Sequence, residues 1–345
     1  MAKMALVLGG GAPNCTLMTG AMLAFEEAGV KFDVISGAGG GGCMALLYAS
    51  PANGMTRQES LRNSINLSVL DSIFKFIPVN YKVFVKGSRL AEGYRNLLTK
   101  LPYYEKVVDQ LGMTKGKKLI SDLIQLIWAI TTPSTTTFFS SGMCSHAPLL
   151  EQFINFSKIK DYEEEVYINA YSVADQKVVT YGKNEINFET FAASLGYPFI
   201  YEATTVDGIY FMEGGAVDTY NFSGLLRTDE DIRTLVVLDA FGNQQYIQRP
   251  KNLFQAYSQS MILPLVEVCR KDLMLFEHYY LKEWNAAHPK KEVELVKIKF
   301  DIPPDWLPAA LDWSTSNMER MFELGYETAR KHIAEYGVDL GRTIT

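Results

Sequence analysis

The chain is poor in the residues that staple or metallate small proteins. Its 345 residues include four cysteines, Cys15, Cys43, Cys144 and Cys269, scattered and never spaced C-x-x-C. That spacing excludes a zinc ribbon and supplies no disulfide framework, so a reducing, cytoplasmic setting is expected. Histidine is equally scarce. His146, His278, His288 and His332 form no H-x-x-x-H or H-E-x-x-H pair, so no metal site is expected, and no other cofactor. No apolar run reaches the ~18 residues of a membrane-spanning helix. The first run, Met4 to Leu8, is also too short for a signal-peptide core and stops at Gly9-Gly10-Gly11. There is no excess of positive charge: 33 basic residues face 39 acidic ones, for a net charge of -6, and no basic stripe stands out. Nucleic acid is therefore excluded as a partner, and membrane contact is reduced to a peripheral one through a local patch. Repeats and low-complexity linkers are missing too, which favours a single domain over residues 1–345.

What is present is a large core. Hydrophobic residues make up 48% of the chain, ample for one big domain. Met4 to Leu8 has the pattern of a buried strand. Thr16 to Glu27 has that of a helix with Leu17, Ala21 and Leu23-Ala24 on its apolar side, and Gly29 suits its C-terminal cap. Phe32 to Ser36 repeats the strand, and Cys43 to Ala49, apolar nearly all round, repeats the helix. Strand–turn–helix taken twice predicts an α/β fold with a mainly parallel sheet covered by helices on both faces. Residues from about 56 to 150 read instead as mostly helical, with aromatic and aliphatic clusters at 73–77 and 119–128; a helical insertion or cap is expected, either as ordinary core helices or as a lid lining an acyl-chain pocket. Val166 to Val173 and Lys177 to Tyr181 predict a hairpin. Leu235 to Leu238 and Val293 to Phe300 add strands. Near the end, Ser316 and Glu319 have capping-box spacing, and Gly337 closes the helix that follows.

Two glycine-rich turns follow the first two strands, and each leads into a helix. Glycine admits positive φ and close approach to a ligand, and a helix N-terminus adds a positive dipole end, so either turn can hold an anion. Gly37-Ala38-Gly39-Gly40-Gly41-Gly42 satisfies G-x-G-x-x-G, the dinucleotide-binding pattern. The acidic residue that pattern needs about 20 residues on is missing, since Arg57-Gln58-Glu59 sits there in a helical stretch. The other reading is a nucleophile elbow, a strand turning sharply into a helix, with Gly39 at its tip.

The order and spacing of several motifs resemble the patatin-like acyl hydrolases. Leu8-Gly9-Gly10-Gly11-Ala12 matches the family's oxyanion loop. Glu26-Glu27-Ala28-Gly29-Val30 matches the end of its first helix, and Asp33-Val34-Ile35-Ser36-Gly37 the strand entering its G-x-S-x-G elbow. Ala192 to Phe199, with Pro198, followed by Val206 to Gly215, matches its second signature. The likeness is strongest over about 4–50 and 164–240. It implies a three-layer α/β/α sandwich, a lipid or acyl substrate, and a serine–aspartate dyad. Carried over by position, the nucleophile falls on Gly39 and the dyad acid on Glu213. The oxyanion and ligand-binding set falls on Gly9, Gly10, Gly11, Ala12, Asn14, Gly40, Gly41 and Cys43. The departures are as informative: glycine stands where serine is expected, glutamate where aspartate is expected, and Pro13-Asn14-Cys15 where the family carries a basic residue and glycine.

Three readings follow. In the first, the chain binds an acyl or lipid-like small molecule without serine hydrolysis. In the second, Cys15 or Glu213 carries an altered acyl-transfer or hydrolytic reaction, Cys15 as an alternative nucleophile and Glu213 as a general base. In the third, the chain is an ordinary acyl hydrolase whose serine at 39 has been replaced. Asp218 and Asp239 are loop and strand-end residues outside the dyad, and Ser36 belongs to the strand and not to the tip of the turn.

Overall fold

The structure, a computed structural model, describes residues 3–11, 14–52, 54–145, 153–202, 204–222, 225, 231–241, 245–308 and 311–340. Ala12, Pro13 and His146 lie outside the described residues.

The chain opens as the sequence predicts. β1 (Lys3–Leu8) leads through the first glycine turn to α1 (Cys15–Ala28). That helix stops where Gly29 turns left-handed at φ 75° and donates its N–H to the Glu26 carbonyl. β2 (Val34–Gly37) leads to α2 (Gly40–Ala49). The expected start of α2 at Cys43 is three residues late. Gly40, Gly41 and Gly42 form its first turn, with the N–H groups of Gly41 and Gly42 on the Ala38 carbonyl. Poor helix formers are helical here because packing against the strand ends overrides propensity.

A helical stretch follows: α3 (Arg57–Asn63), α4 (Asp71–Phe74), α5 (Arg89–Leu98), α6 (Tyr104–Val108) and α7 (Lys115–Thr131). Thr56 and Glu59 make a reciprocal capping box on α3. A buried polar knot fastens the stretch. Lys82 pairs with Asp122 at 2.7 Å, and Asp122 also accepts from the Leu70 amide and the Gln110 side chain. The chain continues through β3 (Gly142–Cys144), the predicted hairpin β4 (Glu165–Ser172) and β5 (Lys177–Gly182), α8 (Phe188–Ser194), β6 (Phe199–Tyr201), β7 (Thr204–Val206) and β8 (Ile209–Glu213). It finishes with β9 (Ile232–Asp239), α9 (Leu253–Leu275), α10 (Leu281–Ala287), β10 (Glu294–Lys299) and α11 (Thr315–Tyr336). The cap of α11 is Ser314, whose hydroxyl accepts from the Asn317 amide. It is not the expected Ser316, which is drawn off to Asp71.

The main sheet runs β10-β9-β1-β2-β4-β8-β7, with β5 paired to β4 off this path. The pairs from β10 through β4 are parallel, and those of β4 with β5, β4 with β8 and β7 with β8 are antiparallel. β3 and β6 form a separate parallel pair. With helices on both sides, this is a three-layer α/β/α arrangement with a mostly parallel sheet. The largest helix–helix contact is α1 on α11, and two glycines allow it. A Cβ at Gly20 would overlap the Phe322 carbonyl oxygen, and a Cβ at Gly325 would overlap that of Leu17. The two backbones touch there, so neither position tolerates a methyl group. No helix among the described residues is long and apolar enough to cross a membrane.

Candidate functional site

The register of β4 decides where the site forms. Its first half pairs with β2, ending with Ile168 opposite Gly37, and its far end pairs with β8, with Ala170 opposite Glu213. The turn leaving β2 and the last residue of β8 therefore emerge side by side at the C-terminal end of the parallel strands, where open α/β sheets bind ligands. The first glycine turn leaves β1 beside them.

Gly39 is the tip of the second turn, at φ 51° and ψ −123°, a backbone conformation that residues with side chains avoid. A Cβ built on Gly39 would overlap Oε1 of Glu213 and lie 3.0 Å from its carboxyl carbon. The carboxyl of Glu213 fills the space that a side chain at position 39 would need. One residue lacks a side chain and its neighbour has one methylene more than aspartate, so the two positions fit each other.

Glu213 opens onto a cavity of about 140 Å³. The structure brings Gly11, Cys15, Gly40 and Cys43 to the wall of this cavity together with Glu213. Among the described residues Glu213 is the one charged side chain on it; most of the rest is apolar, including Met44, Leu195, Leu265 and Trp313. Desolvation in this setting pushes the Glu213 carboxyl up to about 8 from its ordinary 4.5. The carboxyl receives no hydrogen bond among the described residues. A carboxyl that changes protonation near neutrality in an apolar cleft is suited to general acid–base work. Gly11 and Gly40 add backbone donors: their N–H groups find no acceptor among the described residues. Amides on residues that line a cavity suit a carbonyl or carboxylate oxygen.

The cysteines are in a different condition. Cys15 is buried at the first position of α1, and desolvation pushes its thiol up to about 12. Cys43 is driven up further, by burial first and then by neighbouring Cys15. Thiols so placed stay protonated at neutral pH, and a helix N-terminus does not reverse this.

Gly9, Gly10, Asn14 and Gly41 do not reach the cavity wall. Gly10 donates to the Thr219 carbonyl at 3.1 Å, and Asn14 donates its side-chain amide to the Tyr246 hydroxyl at 3.2 Å. They hold the loops that carry the lining residues. Asp218 accepts from the Phe222 amide, and Asp239 accepts from the Tyr220 hydroxyl at 3.0 Å beneath the first glycine turn, so both organise loops. Ser36 is fully buried, and its hydroxyl accepts from Asn221.

Sequence reasoning did not single out the aromatic walls. Tyr197, Tyr201, Phe84 and Trp313 line the cavity, and Phe84 stands edge-on to Trp313 with ring centroids 5.7 Å apart. Phe84 and Trp313 come from segments more than two hundred residues apart, and no local pattern joins them. Tyr197 beside Pro198 was the one signal within reach.

The family model described as patatin-like phospholipase matches residues 6–226. No curated protein matches significantly. Among solved structures, VipD from Legionella pneumophila is similar over 96% of this chain and 66% of its own length, with 13% identity and a TM-score of 0.40. The chain thus spans just under two thirds of that protein, at a similarity too low to bear on function.

Proposed function

Because the chain belongs to the patatin-like phospholipase family, we propose that it binds an acyl or lipid-like ligand in the Glu213 cavity and does not perform serine-based ester hydrolysis. The supporting observation is the mutual fit of Gly39 and Glu213. A serine in the family's nucleophile position would need the volume that the Glu213 carboxyl occupies. A serine merely replaced by glycine would leave that volume empty beside a shorter acid, so the fit speaks against a recent loss of serine. An acyl chain suits the apolar walls, and the amides of Gly11 and Gly40 suit its carbonyl oxygen.

The test has two halves. Solvent extracts of the purified chain are examined by mass spectrometry for a bound acyl compound, and a panel of acyl esters and thioesters is offered for turnover. A retained or calorimetrically bound acyl ligand with no turnover is the expected result. Absence of acyl binding in both formats overturns the proposal.

One observation favours a second reading. A Glu213 carboxyl that titrates near 8 in a cleft with unengaged amides could activate water. Turnover that is lost in Glu213→Gln and retained in Cys15→Ala would select it; the thiol of Cys15, held protonated, makes the cysteine route the weaker branch.

The same reading takes residues 1–345 as one patatin-like domain with residues 56–150 as its helical insertion. The family match ends at 226, yet β9 pairs with β1 and carries β10, so the sheet is completed by chain beyond the match.

A further inference from the structure

A second cavity, of about 430 Å³, lies within the helical stretch, between α5, α6, α7 and the segment that carries Tyr81 to Lys86. It is separate from the Glu213 cavity but shares a wall with it, since Phe84 lines both. Its volume falls within the roughly 300–1,000 Å³ of small-molecule sites. Leu98, Val108, Leu126 and the Tyr104–Trp128 pair, stacked with centroids 5.5 Å apart, make its walls apolar.

Charge distinguishes this cavity from an ordinary packing gap. Among the described residues three cations line it and no carboxylate does. Lys82 is neutralised by Asp122 at 2.7 Å. The other two have no carboxylate within ion-pair distance among the described residues. Lys86 donates only to the carbonyls of Ile130 and Thr132, at 3.0 and 2.8 Å. Arg95 donates through Nη1 to the Lys86 carbonyl at 2.6 Å, while its Nε is buried and has no acceptor among the described residues. A buried donor left unmet is costly, and an arriving anion that accepts from it removes that cost. The surroundings reinforce the sign: residues 86–118 contain eight basic and three acidic side chains in a chain whose net charge is -6.

We propose that this cavity binds a single-chain anionic amphiphile, with the alkyl chain along Leu98, Leu126 and Trp128 and the anionic head at Arg95 and Lys86. The head chemistry fits either a free fatty acid carboxylate or the phosphate of a lysolipid. This site does not depend on the reading given for Glu213.

Trp128 lines this cavity and Trp313 lines the other, so quenching by a brominated chain reports which is filled. The chain is titrated with 9,10-dibromostearate below its critical micelle concentration, as wild type, Trp128→Phe and Trp313→Phe. The expected result is saturable quenching that survives in Trp313→Phe and is largely lost in Trp128→Phe. Affinity should fall at least tenfold for the uncharged methyl ester, and in Arg95→Gln. Ala129→Phe, which fills the cavity, should abolish binding without removing either cation, and thermal unfolding verifies that each variant folds. Competition with unbrominated stearate and with a monomeric lysophosphatidate identifies the head group that binds tighter, and displacement by either supports the proposal. Quenching confined to Trp313, equal affinity for the methyl ester, or binding seen only to anionic vesicles overturns it.

Discussion

Gly39→Ser is the substitution on which the reading of the site turns. The new Cβ would overlap Oε1 of Glu213 and stand 3.0 Å from its carboxyl carbon, closer than ordinary van der Waals contact. The backbone at φ 51°, ψ −123° is a second obstacle, because a non-glycine residue in a sparsely populated region costs on the order of 1–3 kcal/mol. Glu213 must also be displaced from the space it fills, for which overpacking costs typically about 1–3 kcal/mol. Glu213→Asp removes the second cost alone: it withdraws the carboxyl by one carbon–carbon bond, about 1.5 Å, which clears the new Cβ. The expected double-mutant cycle is thus strongly coupled. Gly39→Ser should destabilise by about 2–6 kcal/mol in the unaltered background and by about 1–3 kcal/mol in Glu213→Asp, a coupling of at least ~1 kcal/mol. Urea unfolding of the four proteins, fitted with a common m-value, measures it. Ester turnover, if it returns at all, should return in the double variant and not in Gly39→Ser alone. Additivity within about 0.5 kcal/mol, or a Gly39→Ser protein as stable as the natural chain, refutes the idea that the two positions are fitted to each other.

The Glu213 carboxyl also makes stability depend on pH. Between its ordinary 4.5 and about 8 the folded chain keeps this proton and the unfolded chain releases it. Stability should therefore fall as pH rises through that window, by up to ~1.4 kcal/mol per pH unit, and Glu213→Gln should flatten the fall in melts at pH 5 and 8. Asp272, pushed up to about 6 mainly by desolvation, adds a smaller fall of the same sign that persists in Glu213→Gln. Gly325→Ala places a methyl on the Leu17 carbonyl, where backbone and not a flexible side chain must move; a loss of about 3 kcal/mol, the upper end for overpacking, is expected by urea unfolding, and a loss under about 1 kcal/mol would mean the helix crossing can open. Asp122→Asn strips Lys82 of its counter-charge in a fully buried knot and should cost about 3–5 kcal/mol, whereas a near-neutral result would show that the helical stretch adds little to global unfolding.

The strands and helices that frame the site were legible in the sequence because each rests on local chemistry. The run Met4 to Leu8, the left-handed Gly29 and the 166–181 hairpin all recur in the structure within a residue or two. The misses have a common physical cause. The start of α2 and the cap of α11 were each displaced by tertiary partners: the strand ends against Gly40 to Gly42, and Asp71 against Ser316. The site residues divide the same way. Gly39 and Glu213 could be picked out by motif order, but their collision course could not, because it depends on β4 pairing β2 and β8 in one register. Cys15 at a helix start reads from sequence as an activatable thiol, and only its burial at 3% exposure reverses that inference. The second cavity lies furthest from sequence-level reasoning. Its lysine and arginine belong to a basic stretch, and what the sequence does not show is that helix packing brings both to the lining of one largely apolar cavity while the buried carboxylate Asp122 is already committed to Lys82. Motif spacing names chemical groups, but the state of each group is set by which neighbours the fold leaves for it. For that reason the upward push on the Glu213 carboxyl, caused by its largely apolar surroundings, could not be read from its place in a motif.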